Sequence, residues 1–334
     1  MSETEVAELL GKLSSLESEI GKVILGQNTV VGHLLVALMA SGHCLLEGVP
    51  GLAKTLMVRT LGQALHLSFK RIQFTPDLMP SDIVGTEILA DAEAGERAFR
   101  FHRGPIFANL VLADEINRSP PKTQSALLEA MQEYEVTYGG RTYPLDRPFF
   151  VLATQNPIEQ TGTYPLPEAQ LDRFLLQLRV GYPDIETEVG ILESTTGDHA
   201  PEVQPIMTGE EVLRLQSLVR QVHASRALVE WTAALVRATR PTSADGASTV
   251  PEVNDFVEWG AGPRAGQSLI LAAKARALLA GRFSVVEDDL VDVVPAVLRH
   301  RLVVNYRGQA ERVTPDRIAE SVVSATPRPP APLA

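Results

Sequence analysis

From residue 3 to residue 25, apolar side chains recur every third or fourth position: Val6, Leu9, Leu10, Leu13, Leu16, Ile20 and Val23. That spacing predicts one amphipathic helix, and a second is predicted from Gln27 to Ala40. Past residue 42 the pattern changes to short, nearly continuous apolar runs at 43–47, 68–74, 109–113, 148–154 and 174–180. Runs of that length bounded by turn residues predict buried strands. Helical periodicity returns between them, from Lys54 to about Leu65 and from Lys122 to Glu133. Strands alternating with helices imply an α/β fold: a five-stranded parallel sheet covered by helices on both faces.

Two stretches interrupt the alternation. Residues 85–103 place Thr86-Glu87-Ile88-Leu89 and Ala98-Phe99-Arg100-Phe101 on either side of Glu93-Ala94-Gly95-Glu96, and residues 135–145 centre on Gly139-Gly140. Both predict β-hairpins inserted between core elements. After Pro183 the strand signal fades. Helices are predicted near 184–195, 209–222, 227–239, 265–280 and 287–299, with linkers near 196–207 and 241–263. The expected division is therefore an α/β core at 1–182, a smaller all-helical domain at 183–325, and a Pro-rich disordered tail at 326–334. At 334 residues, two domains that each bury a core are expected.

Composition narrows the class of function. A net charge of −11 weighs against a nucleic-acid partner, since phosphate contacts need clustered Lys and Arg. The single cysteine, Cys44, excludes an intramolecular disulfide framework. The seven histidines show no metal-ligand spacing. Met1-Ser2-Glu3-Thr4-Glu5 lacks the basic start of a signal peptide. The most apolar stretch, Val30 to Ala40, is broken by Gly32 and His33 and is too short to span a bilayer. A cytoplasmic protein without membrane insertion is expected.

The chemistry starts at residues 48–55, Gly-Val-Pro-Gly-Leu-Ala-Lys-Thr. A strand, a Gly/Pro turn and a helix opening on Lys-Thr make a phosphate-binding loop. Its backbone N–H groups converge on an anion, and the helix adds unpaired N–H groups and a positive dipole end. Lys54 supplies a charge at the β/γ-phosphates and Thr55 a hydroxyl for Mg²⁺. Ala53 stands where the pattern G-x-x-x-x-G-K-[ST] has glycine. A helix start has negative φ, so no glycine is expected to be required there. Next, the apolar run Leu110-Val-Leu-Ala ends in Asp114-Glu115, followed by Ile-Asn117-Arg118. Asp114 suits the metal and Glu115 suits a base acting on water. In Phe149-Phe-Val-Leu-Ala-Thr154-Gln155-Asn156-Pro157, a strand ends in polar groups that either face a γ-phosphate or simply turn the chain. Arg173 and Arg264 are open to two readings: surface arginines, or guanidiniums aimed at transferring phosphate.

Taken together, Gly-Val-Pro-Gly-Leu-Ala-Lys-Thr, Ala-Asp-Glu-Ile-Asn-Arg, Ala-Thr-Gln-Asn-Pro and Pro165-Leu-Pro-Glu-Ala-Gln-Leu-Asp-Arg-Phe174 resemble the MoxR family of AAA+ ATPases. The resemblance runs from about Gly26 to beyond Arg264, and the family likewise carries alanine at the position of Ala53. It implies an AAA+ core with a helical lid, ATP and Mg²⁺ as cofactors, and a homo-oligomeric ring, usually a hexamer. It further implies chaperone-like action on client proteins, among them ones with von Willebrand factor A domains. It places the phosphates along Val49, Pro50, Gly51, Leu52, Ala53, Lys54, Thr55 and Leu56, and the adenine near Gly26 and Gln27. Thr55 and Asp114 hold Mg²⁺ on this reading. Glu115 is the Walker B base, Asn156 the sensor 1 residue, Arg173 the arginine finger for a neighbour's ATP and Arg264 the sensor 2 arginine. Arg118 is a candidate to cross the same interface. The two hairpins take the positions of pore-facing insertions, where Phe99 and Phe101 either grip a partner or pack the hairpin onto its own sheet. Two functions of other kinds compete: a nucleic-acid motor, and a nucleotide-gated binding switch with little turnover.

Overall fold

Residues 2–49, 51–91, 97–156, 162–197, 201–243 and 246–329 are described by a computed structural model. The first helix, α1 (Glu3–Gly21), starts at a capping box in which the Ser2 hydroxyl accepts from the Glu5 amide and Glu5 accepts from the Ser2 amide. It ends sooner than the apolar spacing predicts: Gly21 weakens the helix, and the chain turns to bury Ile24. α2 (Asn28–Met39) is buried along most of its length.

The central sheet comprises β1 (Cys44–Glu47), β2 (Phe69–Gln73), β5 (Leu110–Asp114), β8 (Phe150–Gln155) and β9 (Leu176–Arg179), in the order β2-β5-β8-β1-β9 with every pairing parallel. Helices α3 (Lys54–Ala64), α4 (Pro80–Val84), α5 (Pro121–Glu133) and the short α6 (Glu168–Leu171) make the crossovers. The expected α/β class is observed. Strand periodicity sorts the core into two layers. Cys44, Leu46, Leu110, Leu112, Phe150 and Leu152 face α1, α2 and α3, whereas Leu45, Val111, Ala113, Val151 and Ala153 face α4 and α5.

The predicted hairpins are β3 (Gly85–Asp91) with β4 (Arg97–Arg103), and β6 (Glu135–Tyr138) with β7 (Arg141–Pro144). The turn expected at 93–96 lies outside the described residues. Gly85 sits at φ +110°, where an added Cβ would lie 2.2 Å from the His102 carbonyl, so only glycine fits the hairpin base. The hairpins pack on each other. Phe101 stacks on Tyr143 at 4.3 Å between ring centroids, and Thr86 Oγ1 lies 3.2 Å from the Tyr138 hydroxyl.

The second half is helical: α7 (Ile185–Thr196), α8 (Gly209–Gln221), α9 (Arg226–Ala238), α10 (Pro251–Phe256), α11 (Pro263–Leu279), α12 (Glu287–Leu298), α13 (Tyr306–Ala310) and α14 (Pro315–Ala325). The stretch 241–263, expected as a linker, contains α10. Pro251 opens that helix, and Val253 and Phe256, one turn apart, bury its inner face. α14 escaped the sequence pattern although Ile318, Ala319 and Val322 are buried. Past it, Thr326 is buried and Arg328 pairs with Glu287 at 2.5 Å; residues 330–334 lie outside the described residues. Among the described residues the helical half does not bury a core separate from that of the sheet. The layer under α1 and α2 runs on without a break into α8, α9, α11, α12 and α14, so the helical half shares its apolar interior with one face of the sheet. Among the described residues, no helix is long and apolar enough to cross a membrane.

Candidate nucleotide site

The C-terminal edge of a parallel sheet is where ligands bind in open α/β folds. There, β1 leads through residues 48–53 into α3. Gly51 takes φ +87° with nothing within 4 Å of an added Cβ, so its backbone faces open space. Ala53 takes φ +54°, in the left-handed region, which overturns the expectation of a negative φ. The reason is positional. Ala53 is the cap residue, not the first helical one, and the loop must reverse there before α3 begins. A left-handed alanine costs about 1–2 kcal/mol, the kind of strain that functional loops retain.

Lys54 Nζ donates to the Gly48 carbonyl at 2.5 Å, folding the loop around the side chain. Burial lowers the Lys54 pKa, while the charges of Asp114 and Glu115 oppose that shift. Gly51, Ala53, Lys54, Thr55 and Leu56 line a cavity of about 450 Å³ together with Arg71, Gln73, Asp114, Glu115 and Asn156. The fold thus brings the loop, both carboxylates and the asparagine that follows β8 to one cavity. Pro50 and Pro157 lie outside the described residues.

The carboxylates are held from behind. Thr154, fully buried at the end of β8, donates from its hydroxyl to Asp114 Oδ1 at 2.6 Å and accepts from the Glu115 amide at 2.8 Å. Arg71 reaches Asp114 Oδ2 at 2.6 Å, and Gln73 Nε2 donates to Glu115 Oε2 at 2.9 Å. Arg118 pairs with Glu115 of its own chain at 3.0 Å. Glu115 itself has φ +57°, where the chain leaves β5 for a single 3₁₀ turn. Arg71, Gln73 and Thr154 were not singled out from the sequence. The available signal was the polar alternation Arg71, Gln73 in a predicted strand; what puts those two beside the carboxylates is the β2–β5 register, Gln73 against Asp114.

The donors fit Mg²⁺. This ion prefers one or two protein oxygens plus substrate phosphates and water; Thr55 and Asp114 offer a hydroxyl and a carboxylate to one cavity. Among the described residues no His/Cys/Asp/Glu cluster makes an all-protein cage. Gly26 and Gln27 approach the same sheet edge from the side. An added Cβ at Gly26 would meet Thr187 of α7 at 2.3 Å, and Gln27 Nε2 donates to the Gly181 carbonyl at 3.2 Å. Val180, the residue before Gly181, packs against Gly48.

Arg173 and Arg264 do not join this cavity. Both line a second cleft of about 220 Å³ with His43, Asp172 and Arg301. Arg173 precedes β9 and Lys54 follows β1, so with β1 and β9 parallel the two residues sit off opposite ends of the sheet. Strand length alone sets them on the order of 10 Å apart or more. Arg173 Nη1 donates to the Leu128 carbonyl at 2.8 Å, and Arg264 Nη1 reaches Asp172 Oδ2 at 3.4 Å. Arg301, almost entirely buried, anchors the cleft through Asp172 at 2.7 Å and the Phe174 carbonyl at 2.7 Å. Pinning a helical-half residue to the strand entry in this way fixes where Arg264 sits.

His43 closes the cleft floor. Its Nδ1 accepts from the Val151 amide at 3.1 Å, so the proton sits on Nε2, which donates to the Met131 carbonyl at 3.0 Å. Burial lowers its pKa to about 4, against the weaker opposing pull of the Met131 carbonyl. Burial also lowers the pKa of His300. The sign follows from linkage. The unfolded chain takes up protons near pH 6.5 while the folded His43 stays neutral, so stability is present above that pH and falls toward pH 4. His43 alone should remove about 1.4 kcal/mol per pH unit across that window. Chemical denaturation from pH 7 to 4.5 should show a smaller slope in His43→Gln, once its lower baseline stability is subtracted. An unchanged slope would refute the assignment.

Residues 43–176 match the family described as ATPase family associated with various cellular activities (AAA), and residues 252–322 match the AAA lid domain. Chaperone MoxR1 of Mycobacterium tuberculosis is 46% identical over 93% of this chain and 81% of its own length. Protein MoxR of Paracoccus denitrificans is 30% identical over 94% of this chain and 95% of its own. A solved protein of Cytophaga hutchinsonii, described as a candidate ATPase, superimposes with a TM-score of 0.90 at 42% identity, covering 97% of both chains. The loop, the paired carboxylates and the helical half described above coincide with those matches. The chain belongs to the MoxR family of AAA+ ATPases.

Proposed function

We propose that this chain hydrolyses ATP with Mg²⁺ in a ring of identical subunits, most simply a hexamer in the cytoplasm, and uses the cycle to remodel or activate client proteins. The observation that carries this reading is the single cavity shared by Lys54, Thr55, Asp114, Glu115 and Asn156. Backbone N–H groups of residues 51–55, at the turn and the α3 N-terminus, bind the phosphates. Lys54 neutralises them. Thr55 and Asp114 would hold Mg²⁺, which would neutralise the charge that builds on the phosphates. Glu115 accepts a proton from the attacking water, and Asn156 orients that water. Gly26 and Gln27 flank the adenine side.

Arg173 and Arg264 sit off the far end of their own sheet, so they serve a nucleotide held by the next subunit. That arrangement needs head-to-tail interfaces, which close into rings. Residues 1–182 act as the nucleotide-binding core and 183–325 as the lid. Phe101 is engaged between the hairpins, which leaves Phe99, 74% exposed, to meet a client; proteins with von Willebrand factor A domains are the class proposed. The test is ATP turnover with and without Mg²⁺. Lys54→Ala should abolish nucleotide binding, read by a fluorescent ATP analogue. Full retention of binding would overturn the site.

A further inference from the structure

α7 presents an apolar stripe that no described residue covers. Ile185, Val189 and Leu192, spaced by four and three, are 73%, 46% and 56% exposed, and not one described side chain of the helix is buried. Glu186, Glu188 and Glu193 flank the stripe. A surface helix ordinarily turns such a stripe inward, so this one is shaped for a partner.

A groove of about 870 Å³ between α9 and α11 has the opposite character. Val236, Ile270 and Leu271 form its floor, Arg220, Arg237 and Arg240 stand around it, and no carboxylate is among the described residues lining it. An arginine-rimmed apolar groove is the complement of an acidic helix with one apolar stripe. In a chain of net charge −11, so basic a concavity is a local feature rather than a reflection of overall composition.

We infer that α7 of one copy docks into the α9–α11 groove of the next. The placement of both elements agrees. α7 touches Gly26, on the adenine side of its own site, through Thr187. Pro263 and Gly266, on either side of Arg264, line the groove. Seating one in the other carries Arg264 toward the neighbour's nucleotide. The contact uses two different surfaces, so it propagates head to tail. The inference rests on the ring reading above and names the surfaces that make it.

Cross-linking with a short bismaleimide tests it. The native Cys44 is buried and burial raises its thiol pKa, so it stays silent. Val189→Cys and Ala233→Cys place thiols on α7 and in the groove, both at exposed positions. In ATP, a cross-linked dimer should form only when the two variants are mixed, and the double variant should give a ladder ending at ring mass. Ile185→Asp should weaken assembly about tenfold to a hundredfold, the loss of one buried side chain. Dimers from either single variant would show a symmetric contact and overturn the proposal. Assembly without a mixed cross-link, no assembly at all, or full assembly of Ile185→Asp would also overturn it. Turnover is read separately. Mixed cross-links without ATP hydrolysis sink the hydrolysis reading and leave the docking standing; hydrolysis without them does the reverse.

Discussion

Mixing Arg173→Ala chains with Lys54→Ala chains should restore ATP turnover that neither has alone. Arg173→Ala removes a guanidinium whose counterparts in well-studied hydrolases contribute about 10³–10⁵ in rate, yet it leaves the phosphate loop untouched, so nucleotide affinity should hold. Lys54→Ala empties its own pocket but keeps Arg173. With random exchange, about one interface in four pairs an intact pocket with an intact arginine, so turnover should climb from background to a sizeable fraction of wild type. The placement of Arg173 off the entry of β9, on the opposite side of the sheet from Lys54, is why the effect must operate between chains. In the single chain its side chain rests on the Leu128 carbonyl, a contact it has to exchange for the neighbour's phosphate. Exchange of subunits verified by labelled chains, with no recovery at any ratio, would exclude action between subunits.

Glu115→Gln should bind ATP normally and lose hydrolysis by about 10²–10⁴, the usual contribution of a positioned base. The change is nearly isosteric. A glutamine oxygen can still accept from Gln73 and Arg118, which hold the carboxylate at 2.9 and 3.0 Å, and the backbone clasp by Thr154 does not involve the side chain at all. Thermal stability should therefore change little, which separates loss of chemistry from loss of structure. The variant should also trap the ATP-bound assembly with its client, so affinity capture from cell extract is the natural second readout. Turnover at the wild-type rate would remove Glu115 from the role of base.

Local patterns carried much of the reading. The apolar run Leu110–Ala113 had to be a buried strand, and a carboxylate pair at its end had to emerge at the ligand-binding edge. Gly139-Gly140 between two short polar-apolar strands predicted a tight hairpin, and both glycines indeed take positive φ. Phe99 and Phe101 looked equivalent in sequence. Two residues apart, they share one face of β4; they diverge because Phe101, nearer the hairpin base, stacks on the second hairpin, whereas Phe99 lies closer to the tip and is left exposed.

Ala53 shows a different limit. Its backbone angle depends on whether it is the first helical residue or the cap before it, and sequence patterns place helix ends only to within a few residues. Arg71 shows another. An arginine on an edge strand is unremarkable until the β2–β5 pairing, which sets it against Leu112, lets its side chain reach Asp114 one position further along the same face.

The sequence by itself determined the α/β order of elements, the phosphate loop, the carboxylate pair and the family. These depend on residues close together in the chain, where spacing along the backbone nearly fixes spacing in space. Only the tertiary structure decided the left-handed Ala53, the grip of Arg71, Gln73 and Thr154 on the acids, the shared core of the two halves, and the removal of Arg173 and Arg264 to the far end of the sheet. These follow from strand register, sheet order and helix packing, which join residues tens to hundreds of positions apart and leave no periodic trace in the chain.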